Sequence, residues 1–295
     1  MHVVKKIKNS GILYILPMLI FLMSTTFVPI VYVFVTGFYR NYLSENSAKF
    51  ILFQNYIESF KDFIFLKSIF NTFYYVFFSV VFHIVVALLL AVFLFRNSGP
   101  LQSYAKGLRS LFMVPWLLSW SVAAAIWVLI LNPSGLLSGA AITMGLIKEQ
   151  IPWFGRPEMA MNWIIFITVW KAFPFFMMFI YAALTTIPVE IYESSEIDGA
   201  TGIQKFSYIT IPYIAPTLMT LTVLDSVWSL RMYDIIFLTT GGGPIHATQT
   251  LTLSIYQTAF ERLNFGLASA QGVILFAISS LIALLYVKIY NDVER

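Results

Sequence analysis

Long apolar runs, separated by short segments with charged residues, are the main pattern along this chain. Residues 9–39, 68–95 and 263–287 contain no Asp, Glu, Lys or Arg at all. About 20 apolar residues in a helix are enough to cross the hydrocarbon core of a bilayer. The pattern therefore predicts membrane-spanning segments and not a water-soluble fold.

Three further runs contain few charges, and together the pattern predicts an all-α membrane protein with six transmembrane helices. Helices are expected because an open sheet edge leaves backbone groups unpaired in lipid. "NPSG" at 132–135 predicts that the third helix ends near Leu131. The first run is too long for the apolar part of a secretory signal. The predicted spans are about 11–39, 68–95, 110–131, 162–184, 214–239 and 263–287.

Composition agrees with this prediction. Hydrophobic residues make up 59% of the chain and charged residues 11%, and the mean hydropathy is +0.81. Soluble domains contain roughly 25% charged residues. The formal charge of +4 is dispersed without a basic stripe, which argues against nucleic acid as a partner.

Basic residues predict the orientation. Lys5, Lys6 and Lys8 precede the first span, and Arg96 and Arg109 flank the short loop after the second. Such residues favour the cytoplasmic side. We therefore expect both termini in the cytoplasm, with residues 1–10 as a cytoplasmic N-terminus and 11–295 as one transmembrane domain of the cell membrane.

The loop at 185–213, between the fourth and fifth spans, is unusual because it is acidic. Pro188 suits the first turn of a helix, and Gly199 suits the reversal at a helix end. Thr201 and Gln204 have the spacing of a capping box, which starts a second helix. The loop is therefore predicted to be a short helix, a tight turn and a second helix that ends at or merges into span five.

Its charge suggests what such a structure does. Helices that rest on a membrane surface favour Lys and Arg on their polar face, whereas this loop would be repelled by anionic lipid. A structured acidic protrusion suits a basic groove on a protein partner, and a passive interfacial helix pair is the alternative.

The residues "YESSEIDGATGIQKFSYITIP" resemble the EAA loop of permeases from binding-protein-dependent ABC importers. The pattern runs Glu-Ala-Ala, Asp-Gly-Ala and Ile-x-x-Pro. Two serines stand where the family has two alanines, a small-for-small change. The matching residues are Glu193, Asp198, Gly199, Ala200 and Pro212, and the replaced alanines are Ser194 and Ser195.

Three other segments are similar to sugar permeases in the same order along the chain. They are "QNYIESF" with "SIFNTFYYV" (54–76), "LRSLFMVPWLLSWSVAAAIWVLI" (108–130) and "LTTGGGPIHATQTLTLSIYQTAF" (238–260). The Gly-Gly-Pro piece is typical of the permease similar to the maltose-system F subunit, as opposed to its G-like partner.

This resemblance implies a type I ABC importer permease fold in which 185–213 is a cytoplasmic coupling loop. It implies a transport subunit with no cofactor of its own and not an enzyme. The implied partners are a homologous second permease, two cytoplasmic ATPase subunits, an extracellular solute-binding protein, a sugar substrate and the lipid bilayer. Glu193 would make a polar docking contact, Gly199 the turn, and Ala200 a close packing contact.

Charged residues inside the predicted spans mark a candidate substrate pathway, because they are costly in lipid unless they pair or face a cavity. They are Lys171, Asp225, Arg231 and Asp234. Arg231 and Asp234 are three residues apart, on one face of a continuous helix. They either neutralise one another or reach a wet cavity.

Aromatic residues on the same two spans, Trp228 and Tyr233 among them, suit the apolar faces of a sugar ring. The family often has a pattern like Asn-x-Phe-Asp where this chain has Arg231-Met232-Tyr233-Asp234. Guanidinium binds carboxylate bidentately, so an acidic saccharide is a hypothesis.

Other features indicate no chemistry. His83 stands alone in span two and is expected to be a packed histidine. "GGGP" at 241–244 lacks the Lys-Ser/Thr of a phosphate loop and is expected to be an external turn. Histidines at 2, 83 and 246 predict no metal site and no catalytic set.

A stand-alone secondary transporter driven by an ion gradient is the alternative function. Such folds usually contain internal repeats, and none is evident here. A channel or a six-span membrane enzyme ranks third, since the sequence contains no paired carboxylates or Ser/His set that would suit catalysis.

Overall fold

The computed structural model describes residues 14–40, 48–96 and 102–293. A two-residue ribbon pairs β1 (Tyr39–Arg40) with β2 (Lys49–Phe50) in antiparallel register. The helices in these ranges are α1 (Tyr14–Thr36), α2 (Gln54–Lys61), α3 (Phe63–Arg96), α4 (Gln102–Leu117), α5 (Trp120–Ile130), α6 (Leu136–Thr143), α7 (Pro157–Thr185), α8 (Val189–Ile197), α9 (Gly202–Leu230), α10 (Asp234–Thr239), α11 (Leu251–Tyr256) and α12 (Phe265–Val293). Single π-helical turns interrupt α1 at Met23–Phe27 and α9 at Phe206–Thr210, and another follows α11 at Gln257–Glu261.

The prediction of an all-helical membrane protein is confirmed. Within the described residues, α1, α3, α7, α9 and α12 are each long and apolar enough to cross a membrane. The bent pair α4 and α5 is the sixth span when it is counted as one. Residues 1–10 and the start of the first predicted span lie outside the described residues.

The third predicted span is not one continuous helix. α4 and α5 meet at an angle of 95°. Pro115 lies inside the last turn of α4, and a proline there removes a backbone hydrogen bond. Ser119 then starts α5, because its hydroxyl accepts a hydrogen bond from the Val122 amide at 3.2 Å.

The fifth predicted span is also different from its prediction. α9 begins at Gly202, well before residue 214, and ends at Leu230. Residues 231–233 are not helical, and α10 starts at Asp234. The second helix of the acidic loop and the fifth span therefore form one continuous helix.

The described chain forms two compact units. One comprises the described residues within 1–66 together with Ile255–Ala277. In it, the Asn55 amide donates to the Gly37 and Tyr39 carbonyls at 2.8 and 3.0 Å. Residues 14–33 of α1 are exposed, as expected for a lipid-facing helix.

The other unit comprises the described residues within 67–254 and 278–295. α7 is its central helix, because it packs against α4, α5, α9 and α10. α10 also packs against α5, so the second halves of the two interrupted spans lie side by side. Two apolar clusters form the core, one around Ile164 and Ile235 and the other around Phe176 and Ile180.

Candidate functional site

The acidic hairpin, residues 188–212, consists of α8, a turn and the first turns of α9. Gly199 has a φ of +76°, the left-handed conformation that glycine adopts without strain. Both capping-box bonds form at Thr201. Its amide donates to Gln204 Oε1 at 2.7 Å, and the Gln204 amide donates to Thr201 Oγ1 at 3.4 Å. The predicted helix, turn and second helix that merges into span five are present.

Side-chain contacts join the two arms of the hairpin. Tyr192 Oη lies 2.9 Å from Thr210 Oγ1, and Lys205 Nζ donates to Glu196 Oε1 at 2.7 Å. The Lys205 hydrogen bond and charge lower the pKa of the Glu196 carboxyl. These contacts make the hairpin a braced structure and not a flexible linker.

The tip of the hairpin exposes large apolar side chains that the sequence prediction did not include. Ile197, Ile203 and Tyr208 are 88%, 80% and 80% exposed. Exposed apolar side chains with a charged rim are typical of protein interaction sites. The hairpin therefore offers exposed apolar side chains as well as the acidic residues that were predicted.

The residues predicted for coupling all lie on this hairpin, with different accessibility. Ser195 and Ala200 are half-buried, and the Ala200 amide donates to the Ser195 carbonyl at 2.9 Å. Their packing closes the turn. The exposed members are Glu193, Ser194, Asp198, Gly199 and Pro212.

A cavity of about 760 Å³ lies under the hairpin. Val92 and Phe95 at the end of α3 line one part, Leu184 at the end of α7 another, and Tyr192 and Phe206 the hairpin side.

Lys171 lies at the middle of α7, beside the break in span three. It is only 5% exposed. Its ammonium is 4.4 Å from the centre of the Trp120 ring and 3.4 Å from the Trp116 carbonyl oxygen. No carboxylate in the described part of the chain forms an ion pair with it. A buried cation held by a π face and one carbonyl can still accept an anion.

Arg231 and Asp234 do not share a helical face, so that expectation is wrong. Arg231 lies at the C-terminal end of α9 and Asp234 is the first residue of α10. Each charge is favourable at its own helix end. Both are exposed, and the salt bridges found among the described residues do not join them. The alternative that they neutralise one another is not what the structure shows.

The predicted aromatic residues separate into two places. Trp228 is 43% exposed, and its ring centre is 5.3 Å from that of Phe175, which stacks on Trp116 at 5.9 Å. Tyr233 instead stacks on Phe237 at 5.1 Å. The surface strip of Trp116, Phe175 and Trp228 therefore runs between the two interrupted spans.

Asp225 is buried and does not reach a surface. Asp225 Oδ2 lies 2.8 Å from His83 Nδ1, with side-chain exposures of 4% and 3%. His83 is packed, as expected, but it also binds one of the four predicted intramembrane charges. Only the folded structure brings these two residues together, since 142 positions separate them.

Sequence reasoning missed Trp116, Trp120, Phe175 and the apolar hairpin tip. Pro115 was a local signal for the break that brings Trp116 and Trp120 to Lys171. No comparable signal separates Ile197 or Tyr208 from the many lipid-facing apolar residues, because composition alone does not tell a partner surface from a lipid surface.

A family model described as "binding-protein-dependent transport system inner membrane component" matches residues 57–293. This chain belongs to that family. The expected resemblance to ABC importer permeases is thereby confirmed, as is the expectation of a transport subunit with a separate ATPase in place of an enzyme.

Individual proteins similar to this chain are also permeases of transport systems. The permease is 30% identical over 95% of its length to the sulfoquinovosyl glycerol transport system permease protein SmoG of Agrobacterium fabrum, of which 89% is covered. It is 29% identical over 95% of its length to the trehalose/maltose transport system permease protein MalF of Thermococcus litoralis, of which 92% is covered.

A solved structure also resembles the permease. A chain of a bacterial alginate ABC transporter, crystallised with a periplasmic protein bound to alginate pentasaccharide, matches with a TM-score of 0.84 and 25% identity. The match covers 96% of the permease and 94% of that chain. The permease is therefore a multi-pass component of the cell membrane that works with a solute-binding protein.

Proposed function

We propose that this permease is one half of the translocation pathway of an ATP-driven importer for a saccharide. A homologous second permease forms the other half, two ATPase subunits bind from the cytoplasm, and an extracellular binding protein delivers the cargo. The saccharide transport named for the relatives in Agrobacterium and Thermococcus supports this cargo class.

One observation supports the proposal most: the braced acidic hairpin is continuous with a membrane-spanning helix. α9 is one continuous helix from Gly202 to Leu230. A displacement of the hairpin is therefore transmitted along α9 to the break at 231–233. The tip residues Ile197, Ile203 and Tyr208 form an apolar docking centre, and Glu193 and Asp198 give it an acidic rim.

The hairpin faces the cytoplasm in this proposal. Lys5, Lys6 and Lys8 hold the N-terminus inside by the positive-inside rule. The loop between spans four and five of a six-span protein lies on the same side as both termini.

The cargo carries a negative charge in this proposal. Lys171 is a buried cation without an ion pair to a described carboxylate, and Arg231 is an exposed cation at the neighbouring break. A carboxylate on a saccharide satisfies such groups, while the strip of Trp116, Phe175 and Trp228 contacts the sugar ring.

Alternating access is the mechanism. ATP binding closes the ATPase dimer, the hairpin moves with it, and α9 carries the motion to the two interrupted spans. Hinges at element ends absorb such motion, and both 118–119 and 231–233 are such positions.

Co-purification tests this function. The tagged permease is expected to bring down a soluble ATPase and a homologous permease from its own membranes. Glu193→Lys is expected to release the ATPase while the second permease stays bound. Glu149→Lys is the matched control, since Glu149 is an exposed carboxylate in the segment between α6 and α7.

The ion-driven transporter makes the opposite prediction. Uptake by vesicles that contain this permease alone, or uptake that survives ATP depletion and collapses with the ion gradient, contradicts the proposal. If Glu149→Lys releases the ATPase as Glu193→Lys does, the result also contradicts a specific role of the hairpin.

A further inference from the structure

Another cavity, of about 500 Å³, lies between α5, α6 and the first turns of α7. We call it the outer aromatic cavity, because this end of α7 is on the outer side of the membrane in the proposed orientation. Small-molecule sites commonly have volumes of roughly 300–1,000 Å³. The walls are mostly aromatic and apolar, with one amide group among them. The lining residues are Trp127, Leu137, Met159, Asn162, Trp163 and Phe166.

The amide of Asn162 gives this cavity a hydrogen-bonding group. Tyr74 Oη, on α3, donates to Asn162 Oδ1 at 2.8 Å, which fixes the orientation of the exposed amide. Asn162 Nδ2 donates to the Glu158 carbonyl at 3.3 Å. Because an amide nitrogen carries two hydrogens, the second one is left for a ligand.

Trp127 is held in the cavity wall by ring contacts and not by a hydrogen bond. Its ring centre is 5.2 Å from that of Phe166 and 5.5 Å from that of Trp170, and both contacts are edge to face. Its indole nitrogen is buried and has no hydrogen-bond partner among the described residues. In the aromatic belt of a membrane protein, the polar end of a tryptophan reaches water. Anchoring at the membrane surface therefore does not explain Trp127.

Aromatic contacts connect the cavity to Lys171. Trp120 and Trp127 are two turns apart on α5 and so share a face. Trp120 contacts the Lys171 ammonium. Trp127 contacts the ring of Trp170, the residue before Lys171. Trp163 is about 12 Å from Lys171 along α7, so flat rings follow one another from the cavity to the cation proposed for the cargo.

The chemistry of the outer aromatic cavity suits a sugar ring. Such a ring has apolar C–H faces, which pack on flat aromatic rings, and hydroxyl edges, which bond to an amide such as that of Asn162. None of the described residues that line the cavity is charged, so a carboxylate on the ring stays in water. A lipid chain would contact the apolar walls but leave the amide hydrogen unpaired, which is unfavourable.

We propose that the outer aromatic cavity is a second subsite for the saccharide. One ring of the cargo packs on Phe166 and Trp163 and bonds to Asn162, while a carboxylate farther along the same saccharide reaches Lys171. A longer saccharide occupies both subsites and binds more tightly than a shorter one. This inference rests on the proposed function for its cargo class and its orientation.

Cysteine protection tests the subsite in the whole complex in nanodiscs. The chain has no native cysteine, so Met159→Cys places the only thiol of this subunit in the cavity wall. Tetragalacturonate at ten times its Kd is expected to slow the reaction with a water-soluble maleimide about tenfold, by mass action. Digalacturonate is expected to protect only at higher concentrations. Leu137→Cys repeats the measurement from α6, on another wall.

Ser134→Cys is the control for the reagent, because Ser134 is exposed and does not line the cavity. Its labelling should be the same with and without the saccharide.

Phe166→Leu tests the stacking, because leucine keeps an apolar side chain but removes the flat ring. In the Met159→Cys background it is expected to raise the tetragalacturonate concentration for half protection by roughly three- to tenfold, the contribution of one aromatic contact. Phe77→Leu is the matched control, since Phe77 is also an exposed phenylalanine on a membrane-spanning helix but lies outside the cavity lining. It should leave half protection unchanged.

The outcomes separate the subsite from the function. Labelling of both cavity cysteines that tetragalacturonate does not slow overturns the subsite, and equal shifts by Phe166→Leu and Phe77→Leu overturn the stacking. Labelling only by a membrane-permeant maleimide, at a rate that the saccharide does not change, identifies a lipid-filled groove and also overturns it. If the wild-type complex with its binding protein and ATP takes up no tetragalacturonate, the acidic cargo of the proposed function is contradicted instead.

Discussion

At the scale of single residues, burial and the available partners together distinguish the four intramembrane charges. Asp225 and Lys171 are both nearly inaccessible, yet Asp225 has a partner in His83 and Lys171 has only a ring and a carbonyl. Arg231 and Asp234 are exposed at separate helix ends. We therefore propose Lys171 and Arg231 as the cations that an acidic cargo contacts.

Arg231→Asn is expected to weaken uptake of an acidic saccharide more than that of a neutral one. A hydrogen bond to a charged group contributes about 1.5–3 kcal/mol, which corresponds to roughly 10- to 100-fold in affinity. Uptake of a uronic-acid oligosaccharide and of a neutral oligosaccharide of equal length measures the difference. Equal losses for both substrates contradict a role in charge recognition.

At the scale of elements, the acidic hairpin shows how local sequence specifies a rigid form. Asp198 and Gly199 end α8, and the capping box at Thr201 starts α9 within three residues. Two contacts between the arms, at Tyr192 and Glu196, then fix the angle. The Glu196 contact matters little by itself, because it is exposed and screened by water.

Gly199→Ala is expected to destabilise the hairpin by about 1 kcal/mol, because alanine is strained at positive φ. A methyl group there meets no atom within 4 Å, so the cost is conformational and not steric. Limited proteolysis of 188–212 should accelerate about fivefold. Gly199→Asn, which tolerates this conformation better, should be cleaved more slowly than Gly199→Ala. Equal cleavage of both variants contradicts the argument.

Ser119→Ala is expected to weaken the start of α5 by about 1 kcal/mol, since Ser119 caps that helix. The shift of α5 changes the position of Trp120 against Lys171. We expect reduced uptake with little change in basal ATP hydrolysis in the reconstituted complex. Ser119→Thr, which retains the cap without adding a charge, should restore uptake, and failure of that rescue contradicts a capping role.

At the scale of the whole molecule, a topology of up to six spans among the described residues is consistent with a family of inner membrane components. A membrane component of a binding-protein-dependent system must present one surface to the binding protein and another to the ATPase. The basic N-terminal segment predicts that the acidic hairpin lies on the inner side and the segment between α5 and α6 on the outer side.

Labelling of single cysteines tests this orientation, and the absence of native cysteine makes it simple. With an impermeant maleimide, Ser134→Cys is expected to react in intact cells, and Ser194→Cys only after permeabilisation. Both serines are exposed in the described structure. Reaction of Ser194→Cys in intact cells contradicts the cytoplasmic position of the hairpin.

Apolar runs, together with residues that begin and end helices, were enough to predict most of the helices of this protein. Membrane-spanning helices can be recognised in the sequence as long apolar runs, because in lipid every backbone N–H and C=O group must form its hydrogen bond within the helix. The turn at Gly199 and the cap at Thr201 depend on residues within a few positions. Sequence patterns were therefore enough to predict the approximate positions of the spans, the acidic hairpin and the family that the hairpin resembles.

Which charges meet and where the spans break could be seen only in the folded protein. Periodicity treats 214–239 as one helix, and nothing local shows that it stops at Leu230. His83 and Asp225 pair across distant segments, and Lys171 lies under Trp120 only because span three bends by 95°. Such contacts depend on how helices pack, and packing is not encoded in any short stretch of the chain.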